Sequence, residues 1–75
     1  MDAPISNTAT VEAIAEAGRW RTIKEFCRRK SISEPYYYKL RQRGLGPREV
    51  HIGRAVRITP EAEAEWDKER EAASR

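Results

Sequence analysis

The sequence predicts a mainly α-helical domain with one small β-hairpin, on three observations. Helix-start residues stand at Thr22, Ser33 and Thr59, each followed by apolar side chains at helical spacing. Between the second and third of these segments the apolar period shortens from 3.6 to 2 around Gly53-Arg54-Ala55, which marks a pair of strands. The order helix, short turn, helix, two-stranded wing, C-terminal helix is that of a winged helix-turn-helix.

The first helix opens on Thr22, with Glu25 three residues later. This is a capping box, in which the hydroxyl and the carboxylate each accept from a backbone N–H that the helix leaves unbonded. Ile23, Phe26 and Cys27 share its apolar face, and it runs to about Lys30. Ser31-Ile32-Ser33 breaks the chain, and Ser33 caps a second helix from Glu34 to Arg43. Pro35 is tolerated in its first turn because N–H groups there have no intrahelical acceptor. Tyr37 and Leu40 face inward, Tyr38 is partly buried, Tyr36 points out, and Gly44 ends the helix.

For the hairpin, a three-residue loop Gly53-Arg54-Ala55 pairs Ile52 with Val56 and Val50 with Ile58, so that four aliphatic side chains share one face. A two-residue loop divides them between faces, and the longer loop is preferred for that reason. The solvent face then carries Glu49, His51 and Arg57, with Arg54 at the tip. Thr59 caps the last helix and Pro60 is its first residue. Ala62 and Trp66 pack inward, and the helix frays from Asp67 onward. Trp20 is expected to be buried, like Trp66.

Seventy-five residues suffice for one small core. Residues 19–75 form the domain, and residues 1–18, with only Val11 and Ile14 as sizeable apolar groups at helical spacing, are a flexible arm or a weak helix. Cys27 and His51 are the sole residues of their kinds, too few for a disulfide or a structural zinc site. Cys27 reads as a small core residue and His51 as an exposed side chain. The carboxylates Glu61, Glu63, Glu65, Asp67, Glu69 and Glu71 read as a solvated helix face, with no nucleophile or histidine cluster beside them. An enzyme, a cofactor and a metal are therefore not expected. No apolar run approaches the roughly 18 residues of a membrane span, and MDAPISNTAT lacks the order of a secretory signal. The expected location is cytoplasmic, with no membrane partner.

The formal charge of +3 conceals a segregation. Residues 1–18 and 58–75 each carry −3, whereas residues 19–57 carry twelve basic side chains against Glu25, Glu34 and Glu49, for +9. Such a block is the electrostatic footprint of a polyanion binder. Placed on the predicted elements, it puts Tyr36, Lys39, Arg41, Gln42 and Arg43 on or beside the outward face of the second helix. From there they reach base edges and phosphates in a major groove. Arg54 and Arg57 on the hairpin suit a flanking groove, while Lys24 and Arg28 on the first helix supply phosphate attraction. Glu34 either accepts from cytosine, repels phosphate so as to penalise wrong registers, or helps to cap its helix.

The ordered set TIKEF, a Ser-started helix with a Tyr-Lys-Leu step, a Gly-Pro bend, IGR and T-P-E-A, spanning Thr22 to Trp66, resembles the AlpA and excisionase-type branch of the MerR-like winged helix-turn-helix family. The chain departs from that pattern at Glu34, Pro35 and Tyr36, where small residues or Arg are usual, and at Arg41, where an aliphatic residue is usual. The resemblance implies a phage or prophage-type regulator of transcription, or an excisionase that sets the direction of site-specific recombination. It matches Tyr36, Lys39 and Arg43 to recognition-helix positions and Arg54 to the wing. A domain of this size buries little DNA alone. A homo-oligomer or cooperative array on DNA, or an integrase or RNA polymerase partner, is therefore expected beside double-stranded DNA. The alternative is a protein-interaction adaptor that presents the basic scaffold to an acidic partner.

Overall fold

The computed structural model describes residues 18–74. The arm or weak helix expected over residues 1–18 lies, Gly18 apart, outside the described residues. Those residues form α1 (Ile23–Lys30), α2 (Glu34–Gln42), β1 (Val50–Ile52), β2 (Ala55–Arg57) and α3 (Pro60–Ala73), so three helices and an antiparallel hairpin follow one another in the expected order.

Each helix starts where its capping residue stands. Thr22 Oγ1 accepts from the Glu25 N–H at 3.0 Å and the Glu25 carboxylate accepts from the Thr22 N–H at 3.0 Å, completing the box. Ser33 Oγ accepts from the Tyr36 N–H at 3.2 Å, and Thr59 Oγ1 from the Ala62 N–H at 3.1 Å. The turn between α1 and α2 depends on Ser31, whose φ of 57° and ψ of 41° are left-handed. That geometry lets the Ser31 N–H reach Arg28 O and the Ile32 N–H reach Cys27 O, satisfying carbonyls that α1 leaves open. The second helix ends one residue short of expectation, with Arg43 as its cap and Gly44 at φ +73°.

The core consists of Phe26, Cys27, Tyr37, Leu40, Ile58, Ala62 and Trp66, with Ile23, Ile32 and Leu45 packed against it. Phe26, fully buried, meets Tyr37 edge-on at 5.8 Å and Trp66 edge-on at 5.2 Å, so one ring of α1 holds both other helices. The Trp66 indole N–H donates to Leu45 O at 2.8 Å, which fixes the chain between α2 and the hairpin against α3.

Four expectations need correction. The hairpin register is Val50 to Arg57, His51 to Val56 and Ile52 to Ala55, so the loop has two residues, Gly53 and Arg54, with Gly53 at φ +60° as such a turn requires. Val50 and Ile52 therefore share a face with Ala55 and Arg57, while His51 and Val56 point the other way. Arg57 does not lie beside Glu49 and His51. The reason is that the helices build the core: only Ile58 of the four aliphatics joins it, and Ile52 stays 57% exposed. Gathering all four on one face is then not a constraint. Ile58 instead pairs with Arg21 through two backbone hydrogen bonds of 2.8 and 2.9 Å. This bridge explains the second correction. Arg21 takes the buried position, and its neighbour Trp20, on the opposite side of an extended chain, is 44% exposed. Third, Tyr38 is exposed rather than partly buried, because α2 buries only the narrow stripe of Tyr37 and Leu40. Fourth, α3 does not fray at Asp67, whose carboxylate is held by Lys30 Nζ at 2.7 Å.

Two stability measurements check this account. Phe26→Ala is expected to cost about 3–5 kcal/mol, comparable with the whole stability of a small domain, and so to abolish cooperative thermal unfolding followed by circular dichroism. Ser31→Gly relieves a left-handed β-carbon and is expected to raise the unfolding free energy by about 1 kcal/mol, read as a higher denaturant midpoint.

Candidate nucleic-acid interface

At about 100° per residue, burial of Tyr37 and Leu40 turns Pro35, Tyr38, Lys39 and Gln42 to the far side of α2. Tyr36 and Arg43 lie on one flank and Arg41 on the other, and all of these side chains are exposed. On α1, Lys24 and Arg28 stand four apart and are exposed. Arg54 occupies the second position of the hairpin turn, also exposed.

Ion pairing divides the basic side chains into two groups. One group is neutralised within the fold. Arg29 and Lys30 meet the buried Glu63 carboxylate at 3.0 and 2.8 Å, Arg41 meets Glu49 at 3.1 Å, Arg48 meets Glu65 at 2.8 Å, and Arg19 meets Glu25 at 3.1 Å. Lys24, Arg28, Lys39, Arg43 and Arg54 have no ion-pair partner among the described residues. Lys68 is also unpaired, but it stands among Glu65, Glu69 and Glu71 on α3, where the local charge is negative. Arg57 falls between the groups: half-buried, it donates from Nη1 to Val56 O at 2.8 Å.

Burial opposes charge on Glu63, yet hydrogen bonds and attraction from Lys30 and Arg29 outweigh it and hold the carboxyl below the usual range. The same balance raises Lys30: burial works against its charge, and Asp67 and Glu63 prevail. This carboxylate was expected on a solvated face with its neighbours on α3. It is buried because two cations from α1 converge on it.

A second carboxylate, on a partly buried residue, joins α2 to the hairpin. Glu49, its side chain 9% exposed, accepts from the Tyr37 hydroxyl, pairs with Arg41, and lies 3.3 Å from His51 Nε2. Burial first, and then the adjacent carboxylate, push the Tyr37 phenol well above its usual range, so it remains a donor. Glu49 was expected on the solvent face of the hairpin. The signal that points to its place is Tyr37 itself, since an inward tyrosine needs an acceptor for its hydroxyl.

Of the sequence-predicted site residues, Tyr36, Lys39, Gln42 and Arg43 thus share the outward and flanking surface of α2, Lys24 and Arg28 share a face of α1, and Arg54 crowns the hairpin. Arg41 and Arg57 are engaged within the protein. Tyr38 lies on the outward surface and was missed. Burial raises the Cys27 thiol, which leaves it a core side chain. Among the described residues no group of three His, Cys, Asp or Glu side chains is placed to hold a metal ion, and no helix is long and apolar enough to cross a membrane.

No protein-family model matches the sequence, and no match was found among curated proteins or solved structures.

The Glu63 cluster has a pH signature. A carboxyl whose pKa is lowered on folding stabilises the fold above its unfolded value of 4.5, and that stability is lost as pH falls through the folded value. The melting temperature is expected to fall more steeply below about pH 4.5 in the wild-type chain than in Glu63→Gln. Parallel acid profiles of the two would show that the cluster contributes no linkage.

Proposed function

We propose that this chain binds double-stranded DNA sequence-specifically as a winged helix-turn-helix protein, with α2 in the major groove and the hairpin as wing. The observation that carries this reading is the division of charge. Lys24 and Arg28 of α1, Lys39 of α2 and its capping Arg43, and Arg54 at the hairpin tip have no ion-pair partner among the described residues, whereas Arg29, Lys30 and Arg48, which face α3, are neutralised. Lys39 and Arg43 take base edges or phosphates, Tyr36 and Gln42 flank them, and Lys24 and Arg28 attract phosphate. Arg54 enters the negative potential of the neighbouring minor groove or meets its backbone.

The arrangement suits a phage-type transcriptional regulator or an excisionase acting in the cytoplasm. The small outward surface of α2 favours two or more copies on repeated sites, or a partner such as an integrase or RNA polymerase.

Titration against DNA selected from a random-sequence pool, at several salt concentrations, tests the proposal. Five phosphate contacts predict a log–log salt slope of about −4 to −5. Lys39→Ala and Arg54→Ala are each expected to weaken binding, the former by about 1–3 kcal/mol with relaxed preference at one base pair, the latter uniformly across sequences. Failure to enrich any sequence, or binding indifferent to salt, refutes the DNA reading and favours an acidic protein partner.

A further inference from the structure

The outward surface of α2 also carries an aromatic ring whose posture the protein itself sets. Tyr38 is 41% exposed and lies beside Lys39 and Gln42 on the side away from Tyr37 and Leu40. Its ring meets that of Tyr37 edge-on, with centroids 5.5 Å apart and planes at 86°. The Arg41 guanidinium carbon stands 5.7 Å from the ring centroid. Arg41 is held in turn by Glu49 of the chain entering β1, at 3.1 Å. The neighbouring Tyr36 is equally open at 50%, yet no ring or cation contact fixes it among the described residues.

A ring gripped from two sides has little rotamer freedom left to lose on binding. What it can recognise follows from its chemistry. Lys39, Arg43 and Gln42 supply the hydrogen-bonding side chains of this surface, whereas Tyr38 offers an apolar ring edge. The major groove has one apolar feature, the 5-methyl group of thymine. Resting on the reading that α2 lies in that groove, we infer that Tyr38 is a specificity-determining residue that packs against a thymine methyl. Arg41 and Glu49 are positioning residues that hold the ring for it.

The test removes the methyl rather than the base pair. DNA selected with the wild-type chain is resynthesised with uracil replacing each thymine in turn, and dissociation constants are measured at one salt concentration. Wild-type protein is expected to lose about 4-fold at one thymine, the equivalent of about 0.8 kcal/mol for one buried carbon group. Tyr38→Phe keeps that loss, whereas Tyr38→Ala and Tyr38→Gln bind thymine and uracil alike at this position. Arg41→Gln reduces the discrimination without removing the ring. Circular dichroism melts confirm that each variant is folded, and Tyr38→Gln serves should Tyr38→Ala not fold. The inference is overturned if the wild-type chain tolerates every replacement, or if the loss persists in folded Tyr38→Ala or Tyr38→Gln. Those outcomes leave DNA binding standing. A wild-type chain that selects no DNA overturns both readings.

Discussion

Phe26 lies where α1, α2 and α3 converge, and its ring has one aromatic partner on each of the other two helices. Edge-to-face pairs add about 0.5–1.5 kcal/mol each beyond the area they bury, a sizeable contribution in a chain too short for a second layer of core. The geometry matters as much as the energy. Tyr37 can take its place against Phe26 only if α2 presents the Tyr37 and Leu40 stripe inward, and that choice turns Lys39, Gln42 and Tyr38 to solvent. The outward surface of α2 is thus a consequence of what Phe26 requires on the other side.

Charge is distributed by the same logic. The acidic helix α3 packs on α1 through Glu63 and Asp67, which take up Arg29 and Lys30, and it reaches the hairpin base through Glu65 and Arg48. Burying a carboxylate is costly unless cations meet it closely. Here two cations come from adjacent positions of one helix, Arg29 and Lys30, and the pairing fixes how α3 lies along α1. Outside α3, whose own Lys68 and Arg70 stand among acidic neighbours, the positive charge left without ion-pair partners among the described residues belongs to Lys24, Arg28, Lys39, Arg43 and Arg54. A strongly basic segment is in this way reduced to a few uncompensated positions.

Local chemistry made the helices legible in the sequence. Thr22 with Glu25, Ser33 and Thr59 act through hydrogen bonds that span three residues, so their meaning does not depend on the rest of the fold. The inward Tyr37, the buried Cys27 and the outward Lys39 followed from periodicity alone. What could not be read depends on distant partners. The hairpin register was judged by whether its aliphatics could share a face, and that criterion lapses once helices close the core. Trp20 is exposed because Arg21 pairs with Ile58. Glu49 and Glu63 looked like ordinary surface acids until Tyr37, Arg29 and Lys30 were brought to them by folding. Tyr38 differs from Tyr37 only in its angle around α2, and the width of the buried stripe is a tertiary property.

The bridge between Arg21 and Ile58 has a further consequence for how the chain folds. It encloses α1, α2 and the hairpin within one closed loop of backbone, shut by two hydrogen bonds at its neck. Loop closure carries an entropic cost that grows only slowly with length, but the contacts that offset it come from both sides of the neck, since Ile58 and the α3 residues that follow it fill the core. The two-helix unit therefore gains its full packing only when the chain has continued through the hairpin into α3. The α1–α2 pair, the hairpin and α3 thus depend on one another for their packing rather than forming separable parts.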